Sequence, residues 1–227
     1  MNIKNSNQFL ASFGLLTLIM IGFTNFNLVR EYKKIDLSDP FKNYLSMPSI
    51  PHSVLKFSGS NGYPIEIRYS DVNTIKVLRS RVEHVHQNIT ADTLYIDFTG
   101  ANISKNQSQY SNTPPAIVLQ RNVLPEIIIS DIHCKIADFD AEELRLTVKG
   151  NALCEIKDCH LNTMNVEVSN NGHLEFFHEN SVRSLQLAMR NTSSAYLKNV
   201  NLHHIEQDLT DSVSIILSND VFNALVK

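Results

Sequence analysis

Apolar residues recur with a period of about 20 residues through the second half of the chain. The clearest unit is LRLTVKGNALCEI (Leu144 to Ile156), in which apolar and polar residues alternate on both sides of a KGN break. Steps of 20 or 21 residues align five such units, whose shared positions are Leu124, Glu126, Ile128, Cys134 and Ile136; Leu144, Leu146, Val148, Cys154 and Ile156; Met164, Val166, Val168, Leu174 and Phe176; Leu185, Leu187, Met189, Ala195 and Leu197; Ile205, Gln207, Leu209, Ile215 and Leu217. Glu126 and Gln207 are polar, whereas a chain with 43% apolar residues would leave about 14 polar positions by chance.

A period of this length predicts a β-solenoid, a single-chain β-helix with turns of 20 to 21 residues. It is too short for two helices and fits two or three strands per turn, each strand pairing with its equivalent in the next turn about 4.8 Å away. The breaks KGNA, SNNGH, RNTSS and TDSVS supply Gly, Asn, Asp and Ser, which tolerate tight-turn backbone. The one extra residue falls between Phe176 and Val182, in a predicted turn.

The first half of the chain also indicates strands. From Val54, the segments VLKF, PIEIRY, TIKVL and TLYIDF alternate in polarity and are separated by turn-forming sequences. We therefore expect an all-β solenoid domain over residues 54–227. Residues 31–53 contain three prolines and little periodicity, which predicts a linker. The polar segment Ala101 to Pro115 is predicted to be an exposed loop.

The N-terminus predicts a hydrophobic helix. No charged residue occurs from Asn5 to Val29, which is long enough to cross a hydrocarbon core of roughly 30 Å. We expect residues 1–30 to be a membrane anchor or uncleaved signal. A cleaved signal peptide and a buried core helix are the alternatives, although no A-x-A site follows. Arg30, Lys33 and Lys34 follow the span, and by the positive-inside rule they favour a cytoplasmic domain.

Composition excludes some classes of function. The chain has 20 Lys and Arg against 23 Asp and Glu, without a long basic run, so we expect no nucleic-acid partner. Its three cysteines are too few for a disulfide framework and form no CxxC pair. The sequence predicts no catalytic residue, cofactor site or metal site.

The strand, polar turn and second strand of each unit resemble the LSLSGSGDIEL repeat of the auto-transporter adhesin head GIN domain family, a bacterial domain of unknown function. VLKFSGSNGYPIEIRYSDVNTIKVL followed by TADTLYIDFTG is similar to the first turn of that family. The resemblance covers roughly Val54 to Leu217, although Asn or Ser replaces many of the family's turn glycines. It implies a β-solenoid exported across the inner membrane of a bacterium, commonly of the Bacteroidetes type, and it implies no functional residue.

The cysteines raise one structural question. Cys134 and Cys154 occupy the same predicted inward position one turn apart, at a spacing that permits a disulfide. The alternative, which we favour, is two small buried thiols that fill the core. Cys159 is predicted to be the exposed thiol, because it falls in a turn.

Two sets of side chains could carry chemistry. Glu155 and Glu175 share a predicted outward position in adjacent turns, and carboxylates about 5 Å apart are compatible with retaining glycoside hydrolysis. Like charges on a solvated face are the simpler interpretation. His84 and His86 would share one face of a strand and could begin a metal site, but no third ligand is evident. His203 and His204 are adjacent and would point in opposite directions.

The sequence therefore favours a non-catalytic, exported structural or binding module of the bacterial cell envelope, similar to an adhesin. Because the export that the family resemblance implies outweighs the few positive charges after the span, we expect a single-pass inner-membrane protein with its β domain in the periplasm, or alternatively a secreted or surface protein. Its partners would be the membrane, through the N-terminal helix, and a protein or glycan that the sequence does not identify. A carbohydrate-active β-helix enzyme and a cytoplasm-facing, membrane-tethered scaffold are the alternatives.

Overall fold

The structure is a computed structural model that describes residues 3–34, 39–49, 51–59, 63–98, 113–210, 212–218 and 221–222. The chain divides into two compact units, Met1–Asn43 and Tyr44–Lys227. Most of the predicted loop Ala101–Pro115 lies outside the described residues.

The first unit contains one long helix, α1 (Ile3–Lys33). Its segment Asn7–Lys33 is long and apolar enough to cross a membrane, by length and composition, and an 18-residue stretch of it has a mean hydropathy of 1.8. Large apolar side chains are exposed around the helix, as Phe9 is at 74%. The hydroxyls of Ser12, Thr17 and Thr24 each donate to the carbonyl four residues earlier, which satisfies them without water. The predicted N-terminal hydrophobic helix is confirmed.

The described residues of the second unit form two sheets. One sheet, called sheet 1, has nine strands in the order β1-β4-β7-β3-β9-β11-β13-β15-β17. These strands are β1 (Tyr44–Pro48), β3 (Ile65–Tyr69), β4 (Thr74–Leu78), β7 (Ile117–Arg121), β9 (His133–Ala137), β11 (Leu153–Lys157), β13 (His173–Phe177), β15 (Ser194–Leu197) and β17 (Ser214–Leu217).

The other sheet, called sheet 2, has eight strands in the order β16-β14-β12-β10-β8-β2-β6-β5. These strands are β2 (Val54–Ser58), β5 (Val85–Thr90), β6 (Thr93–Phe98), β8 (Glu126–Ser130), β10 (Asp140–Lys149), β12 (His160–Ser169), β14 (Asn180–Arg190) and β16 (Val200–Leu209). A 3-10 helix, Arg79–His84, precedes β5. The chain alternates between the two sheets from β6 onward, as a solenoid does.

The predicted register is confirmed from β10 to β17. Leu146 pairs with Val166, which pairs with Leu187, and these strands are parallel. In sheet 1, Cys154 pairs with Cys134 and with Leu174 in the same way. The inward side chains of these turns form one continuous hydrophobic core. The fold is thus a β-solenoid with a period of about 20 residues.

The unit before this region was predicted one residue out of register in sheet 2. Ile127 and Ile129, rather than Glu126 and Ile128, pair with Leu146 and Val148 and are fully buried. The reason is the following turn, because two residues separate β8 from β9 whereas three separate β10 from β11. A change of one residue in a turn exchanges the two faces of a strand.

The first strands stack out of chain order. β2 lies between β8 and β6, and β3 lies between β9 and β7, so the turn formed by β2 and β3 stacks inside the later turn formed by β6 and β7. β1, β4 and β5 are antiparallel to their neighbours. β1 lies within residues 31–53, which were predicted to be a linker. It forms a short edge strand that ends at Pro48, a residue suited to an edge because it donates no backbone hydrogen bond.

The corners of the solenoid use left-handed backbone at the predicted turn residues. Gly150 has a φ of 63°, and a Cβ there would lie 2.4 Å from Asp131 Oδ1, so a larger residue would be strained and would displace the Asp131 carboxylate. Asn170, Asn171 and Asn191 have φ values of 54°, 69° and 51°. Asparagine tolerates this region better than most residues, which explains how a chain with seven glycines makes these corners.

One corner position points into the core and was misjudged from the sequence. Cys159 was predicted to be exposed but is fully buried, since the left-handed residue before it, Asp158 (φ 51°), turns the chain inward. The residues at this corner in successive turns are Phe139, Cys159, Asn180 and Val200, and all four are buried.

Candidate binding surfaces of the solenoid

The outer face of sheet 2 carries a shallow groove of about 530 Å³ across β10, β12, β14 and β16. Arg145, Asn165, Gln186 and Glu206 stand in one column, because each pairs in register with the next. A second column contains Thr147, Glu167, Ala188 and Asp208. The small side chain of Ala188 leaves a gap in this column between Glu167 and Asp208. The groove therefore presents planar polar groups at a repeat of about 4.8 Å.

At one end of the groove, Arg145 and Glu143 form a two-point ion pair. Arg145 Nε lies 2.7 Å from Glu143 Oε1 and Nη2 lies 3.1 Å from Oε2, and Asn165 Nδ2 also donates to Oε1 at 2.9 Å. The hydrogen bond from Arg145 lowers the pKa of Glu143. Both side chains are solvated, so the pair positions the guanidinium more than it stabilises the fold.

The other end of the groove is acidic. Gln186 Nε2 donates to Glu206 Oε2 at 3.2 Å, and His204 Nε2 lies 3.4 Å from Glu206 Oε1. Arg190 pairs with Asp208. Glu167 forms none of the ion pairs in the described part of the chain. Carboxylates accept hydrogen bonds and side-chain amides both accept and donate them, so this arrangement is suited to a hydroxylated or peptide partner.

Glu155 and Glu175 share the predicted outward position in sheet 1 and pair in register. Each carboxylate faces a histidine: His133 Nε2 lies 3.0 Å from Glu155 Oε1, and His173 Nε2 lies 3.7 Å from Glu175 Oε2. Glu155 lines a cavity of about 350 Å³ and Glu175 does not. This cavity therefore does not hold the pair of carboxylates that cleavage of a glycosidic bond requires.

His173 sits among polar and aromatic neighbours on this face. Its Nδ1 lies 2.6 Å from Ser194 Oγ, and its ring meets the Tyr196 ring edge-on at 4.4 Å. Burial lowers the pKa of His173, although Glu175 and Glu155 act in the opposite direction. The neutral ring is therefore favoured, and the hydrogen bond between His173 and Ser194 links two adjacent turns.

The cysteines are buried and free. Cys134 and Cys154 pair in register as predicted, and neither is in a disulfide. Burial raises the pKa of Cys159 to about 11 and raises that of Cys154 well above its ordinary value. Since the thiolate is the reactive form, these thiols serve as small core residues.

The histidines considered as metal ligands are not brought together. His84 lies in the 3-10 helix and stacks on Tyr63, whereas His86 lies in β5 and is exposed, so they do not share a strand face as predicted. His203 and His204 are both exposed on β16. Within the described ranges, no group of three His, Cys, Asp or Glu residues could hold a metal ion.

The sequence matches no protein-family model and no curated protein. Several solved structures are similar in fold. A candidate adhesin of Bacteroides fragilis NCTC 9343 is 12% identical with a TM-score of 0.43, over 79% of this chain and 99% of that one. A candidate adhesin of Parabacteroides merdae ATCC 43184 is 11% identical with a TM-score of 0.41, over 78% and 95%. A candidate lipid-binding protein of Parabacteroides distasonis ATCC 8503 is 13% identical with a TM-score of 0.31, over 77% and 93%. Identities and TM-scores this low say nothing about the function of this chain.

The sequence pattern did not mark the buried polar residues, of which Asn180 and Arg121 have the largest consequences. Asn180 is buried at a corner, and Arg121 is buried at the end of β7. Asn180 occupies the corner position of Cys159, so aligning the corners as well as the strands would have marked it. Arg121 continues the inward alternation of Ile117 and Leu119, and a charged residue in that position was the available signal.

Proposed function

We propose that this protein is a non-catalytic binding module of the bacterial cell envelope, which uses the groove of sheet 2 to hold an extended partner. The observation that carries the proposal is the pair of polar columns running perpendicular to the strands through four turns. An extended glycan or peptide lying along the columns meets a similar set of donors and acceptors at each turn.

The absence of a catalytic role belongs to the same proposal. Glu155 contacts His133 and Glu175 contacts His173, and Glu175 does not line the cavity next to Glu155. The His133–Glu155 contact joins two adjacent turns, whereas His173 and Glu175 lie in the same strand, and both contacts suit a structural role. An adhesin-like role and membership of the head GIN domain family are likewise proposed, on the repeat pattern from Val54 to Leu217.

The proposed location is outside the inner membrane, with α1 as a signal anchor. The support is a span whose apolar side chains are exposed and whose hydroxyls are satisfied within the helix. A secreted or surface form would arise if α1 were removed as a signal peptide. Protease added to spheroplasts would digest the solenoid in this proposal and would leave it intact in a cytoplasm-facing scaffold.

The test of the groove is a binding experiment with matched variants. Full-length protein in a polyoxyethylene detergent, immobilised on beads, is exposed to purified envelope polysaccharides and to envelope protein extract. We expect the wild type to retain one class of partner, either polysaccharide or protein. The double variant Gln186→Ala and Glu206→Ala, which lacks two hydrogen-bonding side-chain groups, should bind that partner about tenfold more weakly.

The control is Asn201→Ala, which changes an exposed residue of β16 that does not line the groove. Equal binding by the wild type and the groove variant would overturn the assignment of the groove. Release of shorter sugars from a polysaccharide by the purified protein would overturn the non-catalytic assignment.

A further inference from the structure

Arg121 is a buried cation at the end of β7. The residue is only 6% exposed. Its strand alternation directs it to the same side as Ile117 and Leu119, which belong to the core. A guanidinium remains protonated in proteins, so a full positive charge lies at this position.

No acidic side chain in the described part of the chain lies within ion-pair distance of Arg121. Its Nη2 contacts the ring of His52, which supplies no negative charge. Its Nε is buried without a hydrogen-bond partner among the described residues. Burial lowers the pKa of Arg121, which reflects the cost of holding this charge away from water. Buried charges are normally paired with an opposite charge, and the described residues supply none to Arg121.

Space for an anion is present beside the guanidinium. A cavity of about 600 Å³ lies between residues 51–54, the turn that follows β7 and the outer face of β10. Its polar lining includes His52, Asn73, Arg121, Asn122, Glu126 and Glu143. Arg145 also lines the cavity, but its guanidinium is already held by Glu143. Of these two arginines, Arg121 is therefore the cation that is open to a ligand.

We propose that this cavity binds a small hydroxylated carboxylate, such as a uronic acid. The planar carboxylate would accept hydrogen bonds from the Arg121 fork, a match that favours arginine over lysine. The nearby carboxylates of Glu126 and Glu143 would repel a doubly charged phosphate, whereas they accept hydrogen bonds from sugar hydroxyls. The amides of Asn73 and Asn122 both donate and accept. This inference does not depend on a partner in the groove of sheet 2, although Glu126 and Arg145 line both the cavity and the groove.

The experiment is a titration of the full-length protein with sodium D-glucuronate in a polyoxyethylene detergent, followed by saturation-transfer NMR. D-glucose and sodium phosphate at matched ionic strength are the comparison probes. We expect saturable binding of glucuronate in the millimolar range, with no saturable binding of glucose and weaker binding of phosphate. Arg121→Gln should weaken binding at least tenfold, because a charge-assisted hydrogen bond is lost.

Three further variants separate binding at this cavity from nonspecific attraction of an anion to surface arginines. Arg121→Lys keeps the charge and loses the planar fork, so we expect an affinity for glucuronate between those of the wild type and Arg121→Gln. Arg183→Gln, which removes an exposed arginine, and the groove variant should bind glucuronate as the wild type does. Equal binding of glucose, tighter binding of phosphate, or full affinity in Arg121→Lys and Arg121→Gln would overturn the proposal. Thermal unfolding of each variant establishes that it is folded.

Discussion

Leu185→Ala is expected to lower the free energy of unfolding by about 3 kcal/mol. Leu185 is fully buried and stacks between Met164 and Ile205 of the neighbouring turns. Its truncation removes apolar contacts and leaves a cavity in the middle of the coil, where turns on both sides restrict relaxation. Urea unfolding followed by circular dichroism measures the change.

The adjacent residue provides the control. Gln186 points outward from the same strand, so Gln186→Ala should change the free energy of unfolding by less than about 0.5 kcal/mol. If the two substitutions had equal effects, or if Gln186→Ala were the more damaging, the assignment of inward and outward faces would be wrong.

Asn180→Leu is expected to lower the free energy of unfolding by about 3 kcal/mol, although the new side chain has the same number of heavy atoms with the same branching and is apolar. The amide of Asn180 joins three turns of the coil: its Oδ1 accepts from Cys159 N at 3.0 Å, and its Nδ2 donates to the carbonyls of Ile156, Phe177 and Asn199 at 3.2, 2.8 and 3.1 Å. Leucine would take this partner away from the Cys159 N–H and the Ile156 carbonyl, whose hydrogen bonds are buried, and that costs more than the new apolar contact supplies.

Asn199→Ala is the matched control for Asn180, since the Asn199 amide donates one hydrogen bond, to the Phe176 carbonyl at 3.0 Å, and is exposed. We expect a loss of about 1 kcal/mol for it. Urea unfolding of both variants tests the difference. A smaller loss for Asn180→Leu than for Asn199→Ala would mean that the corner is held by apolar packing instead.

Most of the solenoid could be predicted because its turns repeat. Leu144, Met164 and Leu185 occupy equivalent positions, so each unit supports the interpretation of its neighbours. The extra residue before Val182 was also predicted to lie in a turn, and it does, at His178 and Glu179. Alternation and turn residues are local signals, and in a solenoid local signals are enough to define long-range pairing.

The rest depends on contacts between segments that do not repeat. Glu126 was polar in a predicted apolar position, which was the sign of the slip in β8, but the short turn that causes it follows later in the chain. The placement of β2 between β6 and β8 depends on the chain passing the end of the coil and returning. No local pattern specifies that order. The burial of Arg121 could not be predicted from a local pattern either, because it arises from the turns that surround this residue.

Disulfide cross-linking tests most directly whether adjacent turns of the solenoid pair in this parallel register. Asn165 and Gln186 are outward partners in adjacent strands, whereas Ala188 lies two residues further along β14. Cysteines at 165 and 186 would have Cα atoms about 4.8 Å apart, within disulfide range, and cysteines at 165 and 188 would be about 8 Å apart, outside it. After mild oxidation of both variants, mass spectrometry should find the cross-link in the 165/186 pair and little in the 165/188 pair. Equal cross-linking, or a preference for the 165/188 pair, would contradict the parallel register of the solenoid.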